Sequence, residues 1–333
     1  MNSQPPFLYL APIRGLTDAL FRETFHQHFQ GFDAAIAPFI NPQKKSLYDD
    51  RSLRDVLPEM NTSLPVIPQL LHTDPEDFRT LLDRLAELGY RQANWNLGCP
   101  VPMVAKKKRG SGLLPYPEEI IELLDRVLPH PRLELSIKTR LGYREAAELA
   151  ALLPELDRFP LTEIIIHPRL GSQLYRGVAD HAAFAACRSL SRHRLSYNGD
   201  LVDSAGFAQL ANRLPWVHRW MIGRGALANP FLAEEIKNLP QQSPAERRQR
   251  LQRFHDDLIG RYQQRLSGPG HLLGRTKQLW IYLIGSFPGE ERHLKKILKC
   301  RRLDDYQQTV AGLFATAIPR EHCPRVEGPA RSS

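Results

Sequence analysis

The sequence predicts an α/β fold: a (β/α)8 TIM barrel followed by a small all-α helical bundle. Two observations predict the barrel. Eight short apolar or β-branched segments recur up to residue 225, and amphipathic helical patterns separate most of them. A third observation predicts the bundle, because only helical patterns follow Pro240. We therefore predict a catalytic barrel domain over 1–240, a basic helical domain over 241–318 and a flexible tail over 319–333.

The predicted strands are short, as expected for strands that helices bury on both faces. In chain order they are 7–12, 34–40, 65–71, 92–98, 133–140, 163–169, 194–200 and 219–225. The segment 74–89 begins with Asp-Pro and ends on Gly, which is typical of a helix. A doubly wound sheet is the rival fold, but it has fewer strands and a Gly-rich first turn, which this sequence lacks.

The region after Pro240 begins with a helix-start signal. Ser243 and Glu246 have the spacing of a capping box, with Pro244 in the first turn. The apolar stripe of the following helix is Leu251, Phe254, Leu258, Tyr262 and Leu266, and the basic residues off it are Arg250, Arg253, Arg261 and Arg265. Further helices are predicted over 272–285, 290–302 and 304–317.

The net charge of +9 is concentrated in the helical region. From Gln241 onward 17 Lys and Arg stand against 9 Asp and Glu, a net of +8, which leaves +1 for the rest. Such an excess indicates a polyanionic partner, most commonly nucleic acid. The scattered cysteines favour neither a disulfide framework nor a zinc site, and no apolar run is long enough to span a membrane. We expect a cytoplasmic protein, a monomer, without membrane or metal partners.

Polar residues follow the predicted strands, where barrel enzymes place their chemistry. They are Gln69, Asn96, Cys99, Lys138, Arg140, His167, Arg169, Asn198, Gly199, Asp200, Gly223 and Arg224. The glycines of the last two ends, with Arg224, suit a phosphate. The amides suit the edge of a flat heterocycle, and Lys138 could stabilise negative charge on it. The set fits a phosphorylated planar redox cofactor, and flavin mononucleotide (FMN) fits best.

These residues resemble those of the dihydrouridine synthases, flavoenzymes that reduce a uridine in RNA, over essentially the whole chain. The segments that carry the resemblance are APIRGLTD (11–18), PQLL (68–71), NLGCP (96–100) with Val104, GSGLL (110–114), SIKTRLG (136–142), HPRLGSQLYRG (167–177), YNGD (197–200) and MIGRGALANP (221–230). The resemblance implies a flavin barrel followed by a helical domain that helps to hold tRNA. Ile13-Arg14 and Pro168 depart from the pattern of the family.

Site residues follow from the resemblance position by position. Cys99 matches the catalytic acid, and Asn96 matches a residue near the substrate base. The cofactor-binding residues are Pro12, Ile13, Gln69, Lys138, His167, Asn198, Gly199, Asp200, Gly223 and Arg224. We expect NADPH as the reductant, with NADH as an open alternative.

Uridine reduction requires a hydride at C6 and a proton at C5. A thiol with an ordinary pKa of about 8.5 remains protonated at neutral pH and can donate that proton. Two other interpretations of Cys99 are a nucleophile, which would need a nearby base, and structural filler. For Cys187, Cys300 and Cys323 we predict no role.

The basic residues are interpreted as RNA contacts that offset the cost of unstacking the target base. The predicted substrate residues are Lys106, Lys107, Lys108, Arg109, Tyr175, Arg176, Arg250, Arg253 and Arg261. The segment LLGRTKQLWIYL (272–283) resembles the branch that modifies position 16 of tRNA. Alternatives are a flavin barrel acting on a small molecule, a synthase acting on ribosomal RNA, and an RNA-binding protein that has lost catalysis.

Overall fold

The computed structural model describes residues 5–43 and 48–319. Its strands are β1 (Phe7–Leu10), β2 (Ala34–Ile36), β3 (Val66–Ile67), β4 (Gln69–Leu70), β5 (Gln92–Leu97), β6 (Glu134–Gly142), β7 (Leu161–Leu170), β8 (Leu195–Asn198) and β9 (Arg219–Ile222). They pair in parallel in the order β3-β2-β1-β9-β8-β7-β6-β5-β4. The predicted TIM barrel is confirmed.

The two ends of this sheet, β3 and β4, are consecutive pieces of the third predicted strand. Pro68 separates them, and it has no N–H to donate to a ladder. Before it, Ile67 pairs with β2; after it, Gln69 pairs with β5. The Pro68 carbonyl still accepts a hydrogen bond from the backbone N–H of Asn94 at 2.9 Å. The chain itself, at Pro68, therefore joins the two edge strands of the sheet and closes the barrel.

Helices alternate with the strands along the barrel. They are α1 (Ala19–His28), α2 (Asp50–Leu53), α3 (Pro75–Glu87), α4 (Pro102–Ala105), α5 (Pro117–Val127), α6 (Ala147–Leu156), α7 (His181–Ala186), α8 (Ser204–Arg213), α9 (Arg224–Ala228) and α10 (Leu232–Ile236). Aspartate caps start several of them: the side chains of Asp18, Asp74 and Asp203 each accept a backbone N–H from the first turn of α1, α3 and α8.

The predicted helices after Pro240 are present as α11 (Pro244–Arg265), α12 (Pro269–Leu283), α13 (Glu291–Lys299) and α14 (Leu303–Thr316). The capping box at Ser243 and Glu246 forms as predicted. In α11, Phe254 makes edge-on ring contacts with Phe21, Phe25 and Phe29 of the barrel. One apolar cluster thus runs from the barrel into the helices. The domain boundary at 240 stays a prediction, and nearly all of the predicted tail lies outside the described residues.

At the amino-terminal end of the strands, polar side chains close the interior of the barrel. The Glu163 carboxylate accepts hydrogen bonds from Tyr9 Oη at 2.6 Å and Ser196 Oγ at 2.5 Å, and Arg219 Nη1 donates to Tyr9 Oη at 2.6 Å. Glu163 is 2% exposed. Burial and the Glu163 carboxylate raise the pKa of Tyr9. This network, which we call the floor network, therefore depends on a buried negative charge.

Replacing Glu163 with glutamine is expected to lower the free energy of unfolding by about 1–3 kcal/mol, because one buried donor loses its acceptor. Urea unfolding followed by circular dichroism measures the effect. The matched control is Glu155→Gln, since the Glu155 side chain is 56% exposed and its partner Arg158 lies 3.7 Å away. Equal midpoints for the two variants would show that the floor network adds nothing to stability.

Candidate active site

Cys99 follows β5, and Asn96 holds the backbone around it. Asn96 Oδ1 accepts the backbone N–H groups of Gly98 at 3.0 Å and Cys99 at 2.8 Å. Asn96 Nδ2 donates to Gln69 Oε1 at 2.7 Å. The sequence assigned Gln69 to the cofactor and Asn96 to the substrate base. The structure adds that the two amides bind each other and position the loop of the thiol.

The Gly-Ser-Gly segment supports the same loop from the other side. Ser111 donates to the Cys99 carbonyl through both its backbone N–H, at 3.1 Å, and its Oγ, at 3.0 Å. Gly110 has a φ of +57°, and a Cβ placed on it would lie 2.6 Å from the Cys99 carbonyl oxygen. Only glycine fits there. The motif GSGLL (110–114) was visible in the sequence, but the role of Ser111 was not.

The Cys99 thiol is partly exposed at the carboxyl ends of the strands. Burial raises its pKa above the ordinary thiol value, although a backbone N–H and the charges of Arg14, Arg140 and Lys138 oppose this effect. The thiol is therefore protonated at neutral pH. This state suits a proton donor, whereas a nucleophile needs the thiolate.

Lys138 on β6 and His167 on β7 have strongly lowered pKa values. Burial, followed by the charge of Arg140, lowers the pKa of Lys138 to about 7. Burial, with Arg140, Lys138 and two further arginines, holds the pKa of His167 well below its ordinary value. The His167 ring is therefore neutral. Because Arg169 Nη1 lies 3.0 Å from Nε2 and can only donate, the ring proton is on Nδ1.

Arg169, Asp200 and Arg224 form an ion-pair cluster where β7, β8 and β9 end. Arg169 donates to both Asp200 oxygens, at 2.9 and 2.5 Å, and Arg224 Nη2 donates to Asp200 Oδ1 at 3.0 Å. Burial would raise the pKa of Asp200, but the hydrogen bonds and charge of Arg169 hold it below its ordinary value. The sequence placed Arg169 at a strand end without a role; its partner is visible only in the structure.

The remaining predicted cofactor residues lie around this cluster. Asn198 Nδ2 donates to the Met221 carbonyl at 2.9 Å, which ties β8 to β9. A Cβ on Gly223 would lie 3.6 Å from Ile13 Cδ1, so Ile13 lies beside the end of β9. We call the cations Lys138, Arg140, Arg169 and Arg224 the cationic cradle. All four lower the pKa of His167, and two of them, Arg169 and Arg224, bind the Asp200 carboxylate.

Tyr175, in the loop after β7, lies between two arginines. Its ring is 5.2 Å from the Arg140 guanidinium and 5.0 Å from that of Arg224, and 56% of the residue is exposed. Arg140 also donates to the carbonyls of Gly98, at 3.0 Å, and Leu170, at 2.8 Å. Arg140 therefore links the Cys99 loop to the Tyr175 loop, a role that the sequence did not indicate. Arg176, beside Tyr175, is exposed.

The four basic residues after α4 have different environments. Lys106 and Lys107 are exposed. The Lys108 ammonium lies 3.9 Å from the centre of the Tyr116 ring and pairs with Glu119. Arg109 is half-buried and its Nε is buried. Among the residues that the structure describes, Lys106 and Lys107 are therefore the two of the four that are exposed without an ion-pair partner, and the predicted RNA clamp stays a prediction.

The predicted RNA contacts of α11 also differ. Arg253 is exposed, and Arg261 Nη2 donates to Gln27 Oε1 at 2.6 Å. Arg250 pairs with Glu234 and donates to the His28 carbonyl. Arg250 therefore joins α11 to the barrel through a carboxylate and a carbonyl, and its predicted contact with RNA stays a prediction. A second arginine also joins the helical region to the barrel: Arg275 of α12 reaches the loop after β1, where it pairs with Asp18 at 3.0 Å.

The sequence also predicted no role for three of the cysteines, no metal ion and no membrane span. Cys187 and Cys300 are buried, and Cys323 lies outside the described residues. Within 5–43 and 48–319, no group of three or more His, Cys, Asp or Glu side chains is placed to hold a metal ion. Over the same ranges, no helix has the length and hydropathy needed to cross a membrane. The prediction that no metal is bound remains a prediction.

The fold is a TIM barrel, and this set of polar residues lies at the carboxyl ends of its strands, where enzymes of this fold have their active sites. The chain belongs to the dihydrouridine synthase family, since the family model described as "Dihydrouridine synthase (Dus)" matches residues 9–291. The predicted family is thereby confirmed. The branch that acts on position 16 stays a prediction.

Curated relatives are similar over most of their length. The chain is 29% identical over 282 residues to "Probable tRNA-dihydrouridine synthase 2" of Bacillus subtilis (strain 168), covering 83% of this chain and 85% of the relative. It is 30% identical over 263 residues to "Probable tRNA-dihydrouridine synthase" of Staphylococcus epidermidis (strain RP62A), covering 77% and 79%. Among solved structures, morphinone reductase matches with a TM-score of 0.48 and 14% identity, covering 72% of this chain and 87% of that chain.

Proposed function

We propose that this protein is an FMN- and NADPH-dependent enzyme that reduces one uridine of tRNA to 5,6-dihydrouridine, acting as a cytoplasmic monomer. Membership of the dihydrouridine synthase family supports the reaction, and the names of the relatives in Bacillus subtilis and Staphylococcus epidermidis support tRNA as the substrate. One structural observation carries the proposal. A protonated thiol, that of Cys99, lies within electrostatic reach of Lys138 and Arg140 of the cationic cradle.

The residues at the strand ends fit FMN. The cationic cradle has an excess of positive charge over the Asp200 carboxylate, which suits an anionic, phosphorylated group. Within the described part of the chain, the Lys138 ammonium and His167 Nδ1 have no hydrogen-bond partner, so both can donate to a heterocycle. We assign the phosphate to Asn198, Gly199, Asp200, Gly223 and Arg224, and the ring to Pro12, Ile13, Gln69, Lys138 and His167.

In the proposed reaction, Cys99 completes the saturation of the uracil C5=C6 bond. FMN, when bound and reduced by NADPH, supplies a hydride from N5 to C6. The Cys99 Sγ–H bond breaks and its proton forms the new C5–H bond, which leaves a thiolate. Arg14, Arg140 and Lys138 stabilise that thiolate, because all three charges act on Cys99.

The test is dihydrouridine formation by the purified protein. Unmodified tRNA, ribosomal RNA and free uridine are each incubated with protein, FMN and NADPH, and nucleosides are quantified by mass spectrometry. We expect dihydrouridine in tRNA at a single position, with position 16 as the expected one. Dihydrouridine in ribosomal RNA alone would support a synthase that acts on ribosomal RNA. NADPH oxidation that occurs only when a small enone is added would support a flavin barrel that acts on a small molecule.

The pH dependence of FMN binding is a further expected result. Lys138 has a pKa of about 7 in the free protein, and a bound anion raises it. Affinity is therefore greatest below about pH 7, where Lys138 is protonated before binding, and falls as the pH rises above that pKa because binding must then take up a proton. Flavin fluorescence titrations between about pH 7 and pH 9 measure this effect.

Lys138→Met is expected to flatten that pH profile, since it removes the titrating group. Lys277→Met is the matched control, because Lys277 lies on α12 and donates to the Cys300 carbonyl, away from the strand ends. A wild-type profile as flat as that of Lys138→Met would contradict the assignment of Lys138 to the ring.

RNA binding should depend on Lys106 and Lys107 and little on Lys108. Each phosphate contact contributes about 0.7–0.9 to the slope of log affinity against log salt, so Lys106→Ala/Lys107→Ala should reduce the slope by about 1.5. Lys108→Ala is the matched control, because this ammonium is paired with Glu119. Fluorescence anisotropy of labelled tRNA at several salt concentrations measures the slopes. Three identical slopes would remove this loop from the RNA interface.

A further inference from the structure

Three adjacent strands place a row of polar side chains inside the barrel. Gln69 on β4 pairs in register with Asn94 on β5, and Asn94 pairs in register with Ser136 on β6. Each of the three is at most 4% exposed. Interior layers of such barrels are usually filled by branched apolar side chains. A polar row at this depth must be fully hydrogen-bonded, and its bonds then have a direction.

Backbone groups fix that direction at the end near the thiol. Asn96 Oδ1 accepts two backbone N–H groups, those of Gly98 and Cys99, so the other atom of this amide, Nδ2, has to face Gln69. Nδ2 can only donate, and it donates to Gln69 Oε1 at 2.7 Å. The Gln69 amide therefore presents Nε2, a donor, to the next member of the row.

A backbone group fixes the direction at the far end as well. Gln69 Nε2 donates to Asn94 Oδ1 at 2.7 Å, and Asn94 Nδ2 donates to Ser136 Oγ at 2.8 Å. The Ser136 hydroxyl uses its single hydrogen on the Ala93 carbonyl at 3.2 Å, so it can only accept from Asn94. The row is therefore a one-way chain of hydrogen bonds in which donation runs from the N–H groups of the Cys99 loop to the Ala93 carbonyl.

We propose that Asn94 and Ser136 are positioning residues for Cys99, which they hold through the amides of Gln69 and Asn96. Without the Ser136 hydroxyl, Asn94 Nδ2 is left buried without an acceptor. Rotation of the Asn94 amide would then set a donor against Gln69 Nε2. The Gln69 amide would turn to remove this contact, and the Asn96 amide would turn in response. Asn96 Oδ1 would then no longer accept the N–H groups of the Cys99 loop. The importance of this for turnover rests on the proposed function of Cys99 as the acid.

The experiment measures Cys99 directly, without requiring activity. Full-length wild type, Ser136→Ala and Ser136→Thr are alkylated with iodoacetamide over a range of pH, and the Cys99 peptide is quantified by mass spectrometry. Because burial raises the Cys99 pKa, a loosened loop lowers that pKa and opens access to the thiol. For Ser136→Ala we expect alkylation at least about fivefold faster at about pH 8, and Ser136→Thr should restore the wild-type rate.

The matched control is Ser196→Ala. Ser196 is also a fully buried serine of the barrel, but its hydroxyl binds Glu163 in the floor network. Asn94→Leu is the second disruptive variant, used if Ser136→Ala does not fold. In turnover assays the disruptive variants should lower kcat, because the acid is displaced.

Two outcomes overturn the proposal: Cys99 alkylation equal to wild type in the disruptive variants, or an equal acceleration in Ser196→Ala. Faster alkylation in a protein that forms no dihydrouridine from any RNA would support the positioning role and reject only the proposed function.

Discussion

Cys99→Ala is expected to lower dihydrouridine formation by about 10²–10⁴-fold, the usual cost of removing a general acid. Flavin content and flavin reduction by NADPH should remain at wild-type values, because the proton is needed only when hydride reaches the uracil. Single-turnover experiments with prereduced enzyme and tRNA measure this step. The raised Cys99 pKa also has a consequence in wild type: the rate should be constant around neutrality and fall only at alkaline pH, where the thiol loses its proton.

Cys187→Ala is the matched control for that experiment. Cys187 is buried, and its thiol donates to the Ala183 carbonyl, so its loss removes a thiol without touching the strand ends. We expect wild-type turnover. A Cys99→Ala variant that also turns over at the wild-type rate would assign the C5 proton to another group.

Gly110→Ala is expected to have the second largest effect. At a φ of +57° any side chain is strained, and its Cβ would also lie 2.6 Å from the Cys99 carbonyl oxygen and 2.8 Å from Cys99 Cβ. The Cys99 backbone must move, and displacement of a reacting group by about 1 Å can lower kcat by about 10²-fold. Stopped-flow turnover and urea unfolding together measure the catalytic and the structural costs.

Gly89→Ala separates strain from displacement. Gly89 has a φ of +89°, but a Cβ placed on it meets no atom within 4 Å. This variant should lose only the strain energy, about 1–2 kcal/mol, and retain its kcat. If Gly110→Ala lost stability and no activity, the close packing of Gly110 against Cys99 would not matter for catalysis.

The sequence was sufficient for the architecture and for the end of the barrel at which the polar residues lie. Short apolar segments separated by helical patterns predict the barrel, because their length and apolarity favour strands that helices bury on both faces. The polar ends then predict a common site, since parallel strands end on one face. The motif around Cys99 was enough to indicate the family. Two strand ends differ by a few residues. β8 ends at Asn198, so the predicted strand 194–200 runs on into the following loop, and β9 ends at Ile222, so the predicted strand 219–225 runs on into α9, which begins at Arg224.

Only the tertiary structure decided which side chains bind each other. Arg250 and Arg253 look alike in the sequence, yet Arg250 pairs with the buried Glu234 and Arg253 is exposed. Lys107 and Lys108 differ in the same way, because Glu119 neutralises only Lys108.

The same holds inside the site. Asn96 and Gln69 are 27 residues apart, and Arg169 and Asp200 are 31 apart. Charge and hydrogen bonding act through distance in space, and loop closure sets that distance without leaving a local pattern in the sequence. The sequence by itself therefore determined the barrel and the rim that carries the thiol. Only the folded chain showed the directions of the hydrogen bonds that position the thiol. It also showed which basic side chains, such as Lys107 and Arg253, are exposed.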